Sequence, residues 1–169
     1  LPASQAPDFA GWLGSDGSFL PSGATVTPQN DTVYSAIFLD FEILDGAAIS
    51  FDPEDIHLRF SAIVEYDAYE RVTVSTPNAL TVYAVLSSNG VDGEATLLRS
   101  DQAPIQNAIR FDICSPSLEK EDYQTKFSAS FYAQLSYTNG EQATVYAAGT
   151  SFTRSAKEVA TLALSDTSQ

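Results

Sequence analysis

F-S-A-S-F-Y-A-Q-L-S-Y-T-N-G-E-Q-A-T-V-Y, residues Phe127 to Tyr146, decides the fold class. Apolar and polar side chains alternate on both sides of Asn139-Gly140, and a period of two is that of a strand with one buried face. Asn-Gly is the preferred pair for a two-residue type I′ hairpin turn, because both positions need positive φ. With that loop Tyr137 pairs with Gln142, Leu135 with Thr144, Ala133 with Tyr146 and Phe131 with Ala148. The register gathers Phe127, Phe131, Leu135 and Tyr146 on one face, and a slip by one residue would turn that set outward.

Strand signals recur upstream of the hairpin. Val33 to Phe41 carries apolar residues on both faces and reads as a strand buried from both sides. Ala47 to Phe51 follows the Asp45-Gly46 turn pair, and Asp52, Pro53, Glu54 and Asp55 form a polar loop, because proline cannot sit in a central strand. Ile56 to Tyr66 alternates, with Ile56, Leu58, Phe60, Ala62 and Val64 on one face and His57, Arg59, Ser61, Ile63 and Glu65 on the other. Arg71 to Ser75, Leu80 to Leu86, Ala95 to Leu98 and Ile105 to Cys114 complete the series, separated by T-P-N and S-N-G turns. Past the hairpin, Ser155 to Glu158 is a capping box that could open a helix, while Val159 to Leu164 also alternates as a strand. The sequence leaves both open over residues 155–164, with the strand favoured over the helix because everything before it is sheet. The expected fold is an all-β sandwich of about nine to eleven strands in Greek-key or jelly-roll order, with at most one short helix.

The first 29 residues are rich in Pro, Gly and Ser, yet they carry Phe9, Trp12, Leu13, Phe19 and Leu20. Residues 1–27 therefore read as an N-terminal arm and residues 28–169 as one domain. Those five apolar side chains need a surface to cover them, on this domain or on a neighbouring copy, and they are the candidates for self-association.

Composition narrows the function classes. A length of 169 residues with 44% apolar content makes a single domain with a core of its own. One cysteine, Cys114, cannot form an internal bridge. Twenty-two acidic residues against eight basic ones give a net charge of -14, and the first 58 residues hold no Lys or Arg. Such a surface repels phosphate, which argues against nucleic acid and anionic membranes as partners. No apolar run reaches the ~18 residues of a membrane-spanning helix. The chain begins at Leu1 and contains no Met, so either a leader has been removed or the sequence was trimmed, and the L-P-A-S-Q start would suit a mature secreted protein.

Candidate chemistry is sparse. His57 is the only histidine, so a nucleophile would have a single base available and a metal site would lack its commonest ligand. Cys114, at the end of an apolar strand, reads as a small buried hydrophobe. Carboxylates cluster at Asp40, Glu42 and Asp45, at Asp52, Glu54 and Asp55, and at Glu65, Asp67 and Glu70. Asp52, Glu54 and Asp55 are the candidates for a calcium site, although the D-x-D-x-D-G spacing is absent. Asn30 in N-D-T is a glycosylation acceptor if the chain is secreted. The tyrosines Tyr34, Tyr66, Tyr69, Tyr83, Tyr123, Tyr132, Tyr137 and Tyr146 could supply a platform for stacking sugar rings.

The stretch Pro28 to Phe41, P-Q-N-D-T-V-Y-S-A-I-F-L-D-F, followed by Arg59-Phe60-Ser61 and Asp67-Ala68-Tyr69, resembles the bacterial domain-of-unknown-function family twelve fifty-four. The resemblance covers Pro28 to Tyr69, and the glycine-rich region that follows D-A-Y in that family has no counterpart here. It implies a β-rich fold and a secreted setting, and brings no agreed activity.

Two functions are expected from these features. The first is a secreted, non-enzymatic subunit of an extracellular filament, pilus or surface assembly, a homo-oligomer or polymer joined through the N-terminal arm. The alternative is a secreted β-domain that binds, or acts on, carbohydrate or another small ligand. No cofactor is expected apart from calcium at the acidic loop.

Overall fold

A computed structural model describes residues 8–27, 31–52, 55–100, 103–149 and 152–166. These form eleven strands: β1 (Phe9–Gly14), β2 (Phe19–Leu20), β3 (Tyr34–Phe38), β4 (Phe41–Ile43), β5 (Ala48–Asp52), β6 (Asp55–Glu65), β7 (Leu80–Ser88), β8 (Val91–Leu98), β9 (Ala108–Cys114), β10 (Phe127–Ser136) and β11 (Gln142–Tyr146). Two helices, α1 (Tyr66–Ser75) and α2 (Ala156–Asp166), and a 3-10 helix, Lys120–Gln124, are the helical elements among the described residues. The sequence allowed one short helix, so the second is a correction within an otherwise all-β sandwich.

Two antiparallel sheets pack face to face. One has the order β11-β10-β7-β8; in the other, β6 pairs with β9 along one side and with β4 and β5 in succession along the other. A smaller sheet, β2-β1-β3, lies against them. The core comes from the alternation of β6, β9, β7 and β10: Leu58, Phe60, Ala62 and Val64 meet Phe111, Val82, Phe131 and Leu135, all buried. Between β7 and β10 in the chain, β9 belongs to the opposite sheet, so long-range pairing dominates the fold.

The hairpin forms, but its register is one residue away from the expected one. Tyr132 faces Tyr146 and Leu135 faces Ala143. The loop holds three residues: the Tyr137 N–H donates to the Glu141 carbonyl at 2.9 Å, and the Gly140 N–H to the Tyr137 carbonyl at 2.9 Å. Gly140 alone in the loop takes positive φ, at 88°, and the Asn139 side chain accepts the Glu141 N–H at 3.0 Å. That is a three-residue loop with glycine in the left-handed position. In consequence Tyr146 leaves the face of Phe127, Phe131 and Leu135 and stands outward, 72% exposed.

Residues 33–41 do not form one strand buried on both sides. The chain changes sheet between β3 and β4, where the Asp40 carbonyl accepts the Glu65 N–H at 2.9 Å. Ile37, Leu39 and Phe41 point into the core, while Val33 and Phe38 are exposed because the small sheet is covered on one side only.

Arg71 to Ser75, expected as a strand, is the second half of α1. Ala68 and Val72, four residues apart, give the helix its buried stripe. Its N-terminus is capped from a distance: Asn107 accepts the Tyr66 N–H through its carbonyl at 2.9 Å and the Asp67 N–H through its side chain at 3.2 Å. Pro77 follows the end of the helix. At α2 the capping box wins over the strand pattern: Glu158 accepts the Ser155 N–H at 2.9 Å, and the Ser155 hydroxyl oxygen accepts the Glu158 N–H at 3.3 Å.

Strand pairing crosses the boundary between residues 27 and 28, since β1 lies between β2 and β3. Residues 8–27 pack on their own domain, and Phe19 is fully buried.

Candidate functional site

The outward face of the β11-β10-β7-β8 sheet carries a row of aromatic side chains. Alternation along β10 sends Phe131 and Leu135 inward and Tyr132 and Gln134 outward. Tyr132 sits directly opposite Tyr83 of β7 on one side and Tyr146 of β11 on the other. The Tyr83 and Tyr132 rings stack at 5.3 Å between centroids with 10° between planes, and Tyr146 leans on Tyr132 at 6.0 Å and 49°. Leu97 of β8, opposite Tyr83, extends the row to the fourth strand. With neighbouring strands ~4.8 Å apart, the three tyrosines span about 10 Å.

Short uncharged side chains flank this row. On one side lie Thr144, Gln134 and Thr81, with Gln142 beyond; on the other lie Ser130, Val85 and Ala95. The Gln134 amide donates to the Gln142 side-chain oxygen at 3.2 Å, which leaves further donors and acceptors of both amides facing out. None of these flanking residues is charged, in a chain of net charge -14. Chemically the face offers apolar ring surface and neutral hydrogen-bonding groups side by side.

The other tyrosines are dispersed. Tyr137 is buried; its hydroxyl donates to the Ala10 carbonyl at 2.7 Å, and burial, with the Glu141 charge second, pushes its pKa up to about 12. Tyr69 packs edge-on against Phe111, and burial raises its pKa. The Tyr66 hydroxyl donates to Glu70 at 2.6 Å, and that bond raises its pKa. Tyr34 lies in β3, and Tyr123 lies in the 3-10 helix.

The reactive groups do not assemble into a nucleophilic centre. The His57 Nδ1–H donates to the Ser115 carbonyl at 2.9 Å and ties β6 to the segment after β9. Ser61 donates to Asp112 at 2.6 Å, and Arg110 bonds both, but His57 is four residues along β6, about 13 Å away. Cys114 is exposed rather than buried as expected, because it lies on the outward side of β9; partial burial first, and the Asp112 charge next, still raise its pKa.

Asp40, Glu42 and Glu65 line one pocket of about 350 Å³ with Gln106 and Asn107, and Asn107 donates to Glu65 at 3.3 Å. No aromatic side chain lines it, and it belongs to the β6 sheet, so carboxylates and tyrosine row lie on different sheets. Among the described residues no group of three His, Cys, Asp or Glu side chains is placed to hold a metal ion. Of the calcium candidates, Asp55 accepts a hydrogen bond from Ser117 at 2.7 Å, Glu54 lies outside the described residues, and Asp52 ends β5. Asn30 also lies outside the described residues.

The arm candidates are engaged within the chain. Leu13 and Phe19 are buried, Leu20 is half-buried, and Phe9 packs edge-on against Trp12 and Phe38, both at 5.5 Å. The sequence singled out all eight tyrosines without sorting them. The signal that separates Tyr83, Tyr132 and Tyr146 is strand register, which the Asn-Gly loop length misassigned by one residue. Among the described residues no helix is long and apolar enough to cross a membrane. No protein-family model matches the chain, and no curated protein matches it.

Proposed function

We propose that the chain is a binding domain of an extracellular protein that takes a neutral glycan on the outward face of β11-β10-β7-β8. The observation that carries this reading is the Tyr83–Tyr132–Tyr146 row with its uncharged flanks. A sugar ring has one apolar C–H face and an equatorial rim of hydroxyls. Tyrosine supplies apolar area with a polar tip at small conformational cost, and Gln134, Gln142, Thr81 and Thr144 supply hydrogen bonds to the rim. The net charge of -14 favours a neutral chain over an anionic one. Affinity electrophoresis through gels of neutral β-glucan, xylan, mannan and soluble chitin derivatives tests it. At least one polymer should retard the protein, and Tyr132→Ala and Tyr146→Ala should abolish the retardation with unchanged circular dichroism. Retardation by none, or equal retardation of both variants, overturns the reading.

A second reading, a subunit of a surface assembly, is favoured by β8. It pairs only with β7 among the described strands, and residues 91–97 are all exposed, so one backbone edge is open to a strand from another copy. Self-association through the arm would instead have to draw Leu13 and Phe19 out of the core. Sedimentation velocity at rising concentration checks the edge route: oligomers that vanish in Thr96→Lys support it, and a monomer throughout defeats it.

A further inference from the structure

A groove of about 490 Å³ runs between α2, the 3-10 helix and the β5–β6 pair, far in kind from the tyrosine face. Its floor is apolar: Ile49, Phe51 and Ile56 from the strands, Ala160 and Leu164 from α2, with Tyr123 at the wall. Phe51 is 75% exposed and Leu164 73%, an unusual display of large apolar side chains on two elements facing one depression. A pocket of this volume, mostly apolar with a few polar groups, is the ordinary form of a small-molecule site.

The polar groups are what identify the occupant. The chain has three lysines against twenty-two acidic residues, and two of the three, Lys120 and Lys157, line this groove. No Asp or Glu lines it. Neither ammonium group has an ion-pair partner among the described residues. Glu158, next to Lys157 in α2, is already held by Lys126 and by the Ser155 N–H, and Asp122, in the 3-10 helix with Lys120, accepts the Glu119 N–H at 3.4 Å. Along α2 the cationic end and the large apolar side chain of the lining are separated. Lys157 stands in the first turn of α2, whereas Leu164 lies seven residues further on, about 10 Å along the helix axis.

We propose that this groove binds a free aliphatic carboxylate, a fatty acid, with its carboxylate between Lys120 and Lys157 and its tail over Ala160, Ile49 and Phe51 toward Leu164. Charge complementarity selects the anion in a protein that repels anions elsewhere, and the apolar floor selects the chain. A cationic amphiphile of equal tail length loses the head-group contact and meets two like charges. A short carboxylate such as acetate has the head group without the buried tail.

Isothermal titration with dodecanoate below its micellar concentration tests this, with dodecyltrimethylammonium and acetate as controls. Dodecanoate should bind at a single saturable site while both controls fail. Lys120→Gln with Lys157→Gln should weaken it about tenfold or more, as expected for lost charge-assisted contacts. Ala160→Phe should block the floor. Tyr132→Ala should leave the binding unchanged, which separates this site from the glycan face. Equal binding of the cationic amphiphile, unchanged affinity in the double lysine variant, or absence of dodecanoate binding overturns the proposal. So does a concentration-dependent dimer that excludes dodecanoate, since the groove would then be an interface between copies.

Discussion

The β1–β2 ribbon holds Phe19 at 0% exposure and ties its backbone to the hairpin loop, whereas α2 lies against the 3-10 helix and β5 with Leu162 54% and Leu164 73% exposed. At the N-terminal end the contacts are buried and specific. Phe19 leans on Tyr137 at 5.0 Å with 37° between ring planes, its N–H donates to the Thr138 hydroxyl at 2.8 Å, its carbonyl accepts the Thr138 N–H at 2.8 Å, and the Tyr137 hydroxyl reaches Ala10. At the C-terminal end the start of α2 is anchored by the Arg154–Phe127 backbone pair and by buried Ala156, while the side-chain polar contacts of the helix are a capping box and the solvent-facing Lys126–Glu158 pair. Two segments that both lie outside the central strands thus differ in kind: one is core, the other is a cover with a groove beneath it. The difference teaches that the cover leaves Phe51 and Leu164 exposed along its groove, which is where a ligand can enter, whereas the ribbon leaves Phe19 no exposed surface.

The largest effect should come from Phe19→Ala. It removes a fully buried ring and leaves a cavity beside Tyr137, at a cost of about 3–5 kcal/mol. Urea denaturation checks it; a loss no larger than that of a surface substitution, about 0.5 kcal/mol, would break the contrast between the two ends. Gly11→Ala comes next. Gly11 has φ +151° at a bulge in β1, and a Cβ there would lie 2.7 Å from the Leu20 carbonyl oxygen and 2.8 Å from the Phe19 ring. Backbone cannot yield as a flexible side chain can, so about 1–3 kcal/mol should be lost.

Tyr137→Phe keeps the ring and deletes the hydroxyl, stranding the buried Ala10 carbonyl for about 1–3 kcal/mol, toward the lower end if the ribbon relaxes. The same residue sets an alkaline limit. Its folded pKa is raised from 10 to about 12, so its contribution is whole below pH 10 and is lost as pH rises through about 12. Stability of the wild type measured across that window should fall more steeply than that of Tyr137→Phe. Parallel slopes would show that the hydroxyl is not what the folded state protects.

Legibility followed the range over which each signal acts. The period-two alternation of β6 and β10 and the Ser155–Glu158 capping box are local, and the first two placed the core correctly. The ribbon's partner, Tyr137, lies 118 residues beyond Phe19, so composition could say that Phe19 needed a surface but not which one. Helix α1 was hidden because its N-terminal cap comes from Asn107, some forty residues downstream, and because Val72, Thr73 and Val74 favour strand when read alone. The candidate face was hidden by a single residue of loop length. Asn139-Gly140 signals a hairpin, yet two- and three-residue loops share that signature, and the choice decides whether Tyr146 points into the core or joins Tyr132.

The smallest effect belongs to the C-terminal cover and is the one that salt can tune. The Lys126 ammonium beside Glu158, then the Ser155 N–H, hold the Glu158 carboxyl down from 4.5 to about 2. Because the folded value is depressed, its contribution is present above pH 4.5 and disappears as pH falls through about 2. Both partners are nearly half exposed, at 45% and 43%, so the pair is screened and α2 should loosen without the sandwich unfolding. Amide exchange of Val159 and Ala160, followed across that acidic window, should accelerate relative to β10. The acceleration should vanish in Glu158→Gln, where the side chain no longer titrates. About 1 M salt, with a Debye length of about 3 Å, should remove the lysine's part and leave the shorter-range bond to the Ser155 N–H. If β10 loses protection in step with α2, the C-terminal helix is as integral to the core as the N-terminal ribbon, and the groove beneath it is part of a rigid surface.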